Sequence, residues 1–177
     1  MRFCPTKLPG VVVIDIEPQG DDRGFFARTY CHNEFAAQGL CTHWVQCNVS
    51  FNARAGTLRG LHWQAAPHEE IKLVRCIAGA AYDVVVDLRP DSPTYRQWVA
   101  IELTAASRRA VYIPAGCAHG FQTLTDNTEL FYQMSAFYVP QAARGVRWND
   151  PAFAIEWPAC DRRIIAARDN SFPDWRL

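Results

Sequence analysis

The chain has 177 residues, 49% of them hydrophobic, with 18 basic side chains against 18 acidic ones. These values predict one globular domain spanning 1–177 with a sizeable core and exclude a disordered chain. Balanced charge gives no basic face for nucleic acid and no polybasic membrane contact, and no apolar run is long enough to span a bilayer. Residues 1–5 lack the apolar segment of a secretory signal. Seven cysteines without a C-x-x-C pair predict reduced, mostly buried thiols in the cytoplasm, and neither a disulfide scaffold nor a zinc site.

In chain order, Val11 to Ile16 is a short apolar strand, and Pro18 to Asp22 a turn. Arg23-Gly24-Phe25-Phe26 follows. The two phenylalanines can fill the core, while Arg23 beside a glycine can hold an anion bidentately. Asn33 to Gln38 reads as a short helix, capped by Asn33 and ended by Gly39. His43 to Ser50 alternates as a strand with Gln46 and Asn48 on one face. Two such amides can read the edge of a base or sugar, or sit at the surface.

The stretch Thr57 to Arg89 is the centre of the chain. T-L-R-G-L-H-W-Q places Arg59 and His62 on one strand, and Lys72 opens a second apolar run. A turn at Ala78-Gly79-Ala80 leads into a third, Tyr82 to Leu88. Basic groups among core-forming strands need partners, because an unpaired buried charge is costly. Asp91 to Thr94 is a turn. Trp98 to Leu103, Arg109 to Ile113, Leu130 to Met134 and Phe137 to Val139 are further strands. Gly145 to Pro158 has no period and reads as an ordered loop on the body. Many short strands separated by turn residues predict a sandwich or jelly roll.

Two segments resemble the metal-binding motifs of the cupins. Pro114-Ala115-Gly116-Cys117-Ala118-His119 matches P-x-G-x-x-H, and His62, Gln64, Lys72 and Gly79 fall at the positions of the first motif, with a longer gap after Gln64. A protonated lysine has three donors and no lone pair for a metal. Lys72 at the carboxylate position therefore predicts a metal-free pocket suited to an anion or a developing oxyanion.

With these segments in place the chain resembles the dTDP-4-dehydrorhamnose 3,5-epimerase family over about Val12 to Pro173. The resemblance is carried by Arg23 to Phe26, Gln46 with Asn48, Leu58 to His62, Lys72 to Arg75 and Asp83 to Arg89 with Ser92-Pro93-Thr94. Ile113 to Phe121, Tyr132, Trp148-Asn149-Asp150 and Glu156-Trp157-Pro158 carry the rest. It implies an all-β, cupin-type jelly roll (double-stranded β-helix) with short peripheral helices. It also implies a cofactor-free homodimer, with residues near Arg23 reaching the neighbouring site, acting on a nucleotide-linked 4-keto-6-deoxy sugar. By resemblance, His62 is the general base, Asp169 orients it, and Tyr132 is the general acid.

That chemistry suits these residue types. A C4 ketone acidifies C3–H and C5–H through the enolate, and a neutral imidazole such as His62 has the right basicity to take such a proton. Asp169 would fix its tautomer, unless it is simply a polar residue of the tail. Lys72 and Arg59 would face the oxygen where charge develops, where one preorganised donor is worth roughly 2.7–4 kcal/mol. Inversion needs a proton from the opposite ring face. Tyr132 can supply it, a phenol of pKa about 10 being protonated at neutral pH. The alternative for Tyr132 is a core aromatic. His119 and Tyr138 can contact the sugar, phosphate or base, or only pack.

The chain departs from the family pattern at two positions. Arg28 stands where relatives carry a glutamate that accepts the thymine N–H. Arginine only donates, which suits cytosine or guanine and predicts CDP or GDP over dTDP. Ile71 stands where relatives have a small residue, and predicts a reshaped sugar pocket. A cupin 3,4-ketoisomerase and a non-catalytic sugar-nucleotide-binding module are the competing functions. Retention of His62, Asp169 and Tyr132 favours the epimerase.

Overall fold

Short strands dominate residues 1–176, which the computed structural model describes. In chain order these are β1 (Arg2–Pro5), β2 (Val12–Asp15), β3 (Gln19–Asp21), β4 (Gly24–Phe26), helix α1 (His32–Ala37), β5 (Gln46–Asn52), β6 (Thr57–Gln64) and β7 (Lys72–Ala78). Then come β8 (Ala80–Asp87), β9 (Trp98–Thr104), β10 (Ala110–Ile113), β11 (Cys117–Thr123), β12 (Thr128–Met134), β13 (Ala143–Gly145), β14 (Ile164–Ile165) and helix α2 (Ala167–Asn170). One sheet has the order β1-β2-β10-β7-β12-β5. The other is β13-β6-β11-β8-β9, with β14 parallel to β6. This is the jelly roll expected from the sequence.

Alternation explains the layers. Val85 of β8 faces the sandwich interior with Val74, Leu103, Val111, Phe121 and Leu130. Its neighbours Val84 and Val86 face outward, under Val146 and Phe153 of the loop from Gly145 to Pro158. A strand buried on both faces loses its period of two, which is why Tyr82 to Leu88 reads as a continuous apolar run. The first sheet is covered on its outer side by α1, whose Phe35 packs with Leu73, Ala110 and Tyr112.

Several local expectations are corrected. Helix α1 starts at His32 with Cys31 as an extended N-cap and no side-chain cap bond, so Asn33 lies inside the helix. Phe137 to Val139 is not a strand. Its backbone is taken by two glutamines: Tyr138 N–H donates to Gln46 Oε1 at 2.7 Å and Val139 N–H to Gln64 Oε1 at 2.6 Å. Residues 18–22, read as a turn, contain the first strand of the β3–β4 hairpin, with Gln19 paired to Phe26. Phe25 and Phe26 do not fill the core; they are exposed on that hairpin. Of the seven free cysteines only Cys76 and Cys117 are buried, so the thiols are not mostly buried.

Candidate active site

β6 and β11 lie side by side at the mouth of the jelly roll, and their register pairs His62 directly with His119. Directly opposed residues in an antiparallel pair point to the same face, so both imidazoles face one cavity. The strands approach closely because both carry glycine. A Cβ on Gly60 would lie 2.6 Å from the Cα of Gly120, and the register shifts between His119 and Phe121, as at a bulge.

The cavity has two adjoining lobes of about 460 and 570 Å³ that share Asn48, His62, Lys72 and Met134. The first lobe adds Gln46, Gln64, Glu70, Tyr138, Arg144 and Arg168. The second adds Arg59, His119, Tyr132 and Asp169. Each lobe is of the size that takes a small organic ligand.

His62 Nε2 lies 2.7 Å from Asp169 Oδ1, although the two residues are 107 positions apart in sequence. Helix α2 carries Asp169 back to β6, and Gly60 N–H donates to Asp169 Oδ2 at 3.1 Å. Trp148 Nε1–H holds α2 from outside through Asn170 Oδ1, at 3.1 Å. An ionised carboxylate can only accept, so the proton of the pair sits on Nε2 and Nδ1 keeps its lone pair. Burial pushes the Asp169 pKa up, but the hydrogen bond from His62, the Gly60 N–H and nearby Arg168 outweigh it, and the carboxyl titrates below its ordinary value. By linkage, its contribution to stability is present above the unfolded pKa near 3.9 and is lost as pH falls through the depressed folded value.

His119 forms a second pair, Nε2 to Asp83 Oδ2 at 2.8 Å, with Asp83 fully buried. The other Asp83 oxygen is buried without a hydrogen-bond partner among the described residues. Tyr132 stands edge-on to His119, ring centroids 6.0 Å apart. Burial, and then the Asp83 charge, push the phenol above its ordinary pKa, partly offset by Arg59. Tyr132 is therefore a protonated donor at neutral pH.

Lys72 is buried and its ammonium lies 3.0 Å from Glu70 Oε1. Breaking such a buried pair by removing one partner costs about 3–5 kcal/mol. Arg59 lies along the second lobe, its Nε–H donating to Asn52 Oδ1 at 2.8 Å. The two imidazoles are tied to carboxylates and the third position is an ammonium, so this donor set does not fit a divalent metal. Among the described residues no group of three or more His, Cys, Asp and Glu is arranged to hold one.

The structure thus brings together His62, Lys72, Asp169, Tyr132, Arg59, His119, Gln46, Asn48 and Tyr138. It does not bring Arg23, Phe26 or Arg28 to this cavity. Those residues lie on and beside the β3–β4 hairpin. Arg23 is paired with Asp21 and Arg28 with Glu34, at 2.7 Å, beside a smaller cavity of about 280 Å³ lined by Gln19, Phe26, Arg28 and Glu34. Ile71 does not reshape the sugar pocket, since it packs in the α1 layer near Tyr112. The sequence reading missed Glu70, Asp83, Arg144 and Arg168. An acidic residue inside the apolar run of β8 was the available signal for Asp83, because a buried carboxylate requires a partner.

The sequence model of the dTDP-4-dehydrorhamnose 3,5-epimerase family matches residues 5–176. The chain is 42% identical over 173 residues to the dTDP-4-dehydrorhamnose 3,5-epimerase of Pseudomonas aeruginosa, covering 96% of this chain and 93% of that one. It is 42% identical over 171 residues to the dTDP-4-dehydrorhamnose 3-epimerase of Streptomyces niveus, covering 96% and 82%. The crystal structure of the Bacillus anthracis 3,5-epimerase with TDP and PPi bound superposes with a TM-score of 0.94 at 39% identity, covering 98% of this chain and 99% of that one. The chain belongs to the dTDP-4-dehydrorhamnose 3,5-epimerase family and is an isomerase of the epimerase class.

Proposed function

We propose that the protein inverts C3, C5 or both in a nucleotide-diphosphate-linked 4-keto-6-deoxy sugar. The observation that carries this reading is one cavity lined by a carboxylate-held imidazole, an ammonium and a protonated phenol. His62 Nδ1 takes the proton from the carbon beside the ketone. The C–H electron pair moves into the ring and onto the C4 oxygen, where Lys72 stabilises the enolate. Collapse of the enolate returns the electrons to carbon, which takes a proton from Tyr132 on the other ring face. Proton exchange with water then resets His62 and Tyr132. Arg59, His119, Gln46, Asn48 and Tyr138 bind the nucleotide sugar, and Arg144 and Arg168 add positive charge for its diphosphate at the first lobe. Conversion of a dTDP-linked 4-keto-6-deoxyhexose, followed by NMR of the ring protons, tests the reading; an unchanged spectrum on prolonged incubation would defeat it. The same spectra tell a 3-epimerase from a 3,5-epimerase.

The reaction needs no metal in this scheme, since Lys72 takes the place of a Lewis acid. Turnover is expected to survive exhaustive EDTA treatment. Loss of activity restored by a divalent ion would contradict it.

We read the nucleotide as dTDP. Arg28 alone, at the position of the family's base-reading glutamate, favours acceptor edges. Its ion pair with Glu34 changes this: that carboxylate accepts from Arg28 through Oε1 and from the Met1 ammonium through Oε2, and its remaining lone pairs can accept thymine N3–H beside the guanidinium. An unpaired buried N–H would cost about 1–3 kcal/mol, a fivefold to hundredfold penalty at about 1.4 kcal/mol per decade. Calorimetry is expected to rank dTDP above CDP and GDP, and Glu34→Ala to narrow that order. CDP or GDP binding tighter than dTDP to the wild type would return the preference to Arg28.

The active form is a homodimer. Arg23, Phe26 and Arg28 lie outside their own chain's central cavity, so contact with substrate requires the hairpin to enter a second copy's cavity. Val49, Phe51 and Ile77 present exposed apolar surface on the first sheet for such an association. Sedimentation is expected to give a dimeric mass, shifted toward monomer by Phe51→Lys. A monomeric wild type would refute this assignment.

A further inference from the structure

The segment between β6 and β7 is longer than the cupin motif spacing, and it places a carboxylate in the wall of the first lobe. His68 N–H donates to Ala65 C=O at 3.0 Å and turns the chain back toward β6. Glu70 then meets that strand, its Oε2 accepting from Gln64 N–H at 3.0 Å. Its other oxygen, Oε1, holds the Lys72 ammonium at 3.0 Å. A Lys72 N–H donates to the backbone C=O of His62 at 3.0 Å. An ammonium has three N–H groups. One is spent on the His62 carbonyl, the Glu70 carboxylate holds the head as its ion-pair partner, and the remaining N–H groups are left for the cavity that Lys72 lines.

We propose that Glu70 is a positioning residue that aims Lys72 at the substrate oxygen. A lysine ammonium on a four-carbon stem has no fixed direction of its own. A hydrogen-bonded carbonyl and an ion-paired carboxylate set about its head convert it into a directed donor. The same contacts tie the ammonium to the backbone of His62, so oxyanion donor and base keep one spacing when substrate enters. Glu70 thereby acts through Lys72 and not on the reacting carbon. This inference rests on the reading of Lys72 as the group that stabilises the enolate.

Four variants separate the possibilities: Glu70→Ala, the isosteric Glu70→Gln, Lys72→Met, and Glu70→Ala combined with Lys72→Met. Turnover of a dTDP-linked 4-keto-6-deoxy sugar and calorimetric affinity for dTDP are measured for each. Lys72→Met is expected to lower kcat on the order of 10²–10³-fold, as loss of one oxyanion donor does. Glu70→Ala is expected to lower it on the order of tenfold to a hundredfold through a misaimed donor. Affinity for dTDP is expected to stay unchanged. In the Lys72→Met background, Glu70→Ala is expected to cost nothing more, the non-additivity of two residues acting as one unit. Glu70→Gln removes the charge that holds the ammonium and is expected to lower kcat in the same direction, so the test survives poor folding of the alanine variant. Unchanged kcat in both Glu70 variants, or a loss that persists in full without Lys72, would overturn the proposal. Full activity of Lys72→Met would instead overturn the reading beneath it.

Discussion

His62→Ala is expected to lower kcat on the order of 10²–10⁴-fold with little change in KM, the effect of removing a positioned base. The loss falls on chemistry because the nucleotide sugar is bound by other groups of the cavity. Asp169→Asn is expected to be comparably severe despite its identical shape. Gly60 N–H donates to Asp169 Oδ2, so the single carbonyl oxygen of an asparagine would be drawn to that donor. Its NH₂ would then face His62 Nε2, force that nitrogen to accept, and place the imidazole proton on Nδ1. The basic lone pair would point away from the substrate, a wrong tautomer of the kind that costs about 10⁴-fold in hydrolytic triads. Steady-state kinetics decide the matter. An Asp169→Asn enzyme within a few-fold of wild type would mean that the carboxylate does not set the tautomer.

The second large effect concerns Tyr132→Phe. Its hydroxyl is expected to supply the proton that completes inversion, at a cost on the order of 10²–10⁴-fold when lost. Proton abstraction by His62 does not use that hydroxyl. The variant should therefore still exchange the acidic ring proton with solvent while forming almost no inverted product. The ring of phenylalanine keeps the edge contact with His119, so the fold and the His119–Asp83 pair are retained. Exchange and inversion falling together would assign Tyr132 to proton abstraction or to structure. Retention of both would remove it from the reaction.

The jelly roll was legible in the sequence because short apolar runs end at turn residues, and because His62, Lys72 and His119 fall at motif positions. Where local side chains competed for the backbone, the pattern misled. Gln46 and Gln64 intercept the N–H groups of Tyr138 and Val139, and no periodicity records such a bond. β11 is buried along its full length, so it lacks the alternation that would have marked Cys117 to Thr123 as a strand. The His62–Asp169 pair was anticipated only by resemblance, since a contact across 107 residues leaves no local trace. Glu70 was overlooked although it lies two positions from Lys72. Its role depends on the turn at His68, which folds it back under β6. Arg28 reads alone in the sequence as an unopposed cation, and only the folded chain reveals Glu34, on α1, as its partner.

The central claim is that a carboxylate-held His62 removes a proton beside the sugar ketone. Solvent-deuterium incorporation tests it most directly. A dTDP-linked 4-keto-6-deoxyhexose is incubated in D₂O with the wild type and with His62→Ala, and the C3 and C5 protons are followed by NMR. The wild type is expected to replace at least one of these protons with deuterium as the sugar inverts, and His62→Ala to leave both in place. Wild-type inversion without deuterium uptake, or uptake undiminished in His62→Ala, would contradict the account.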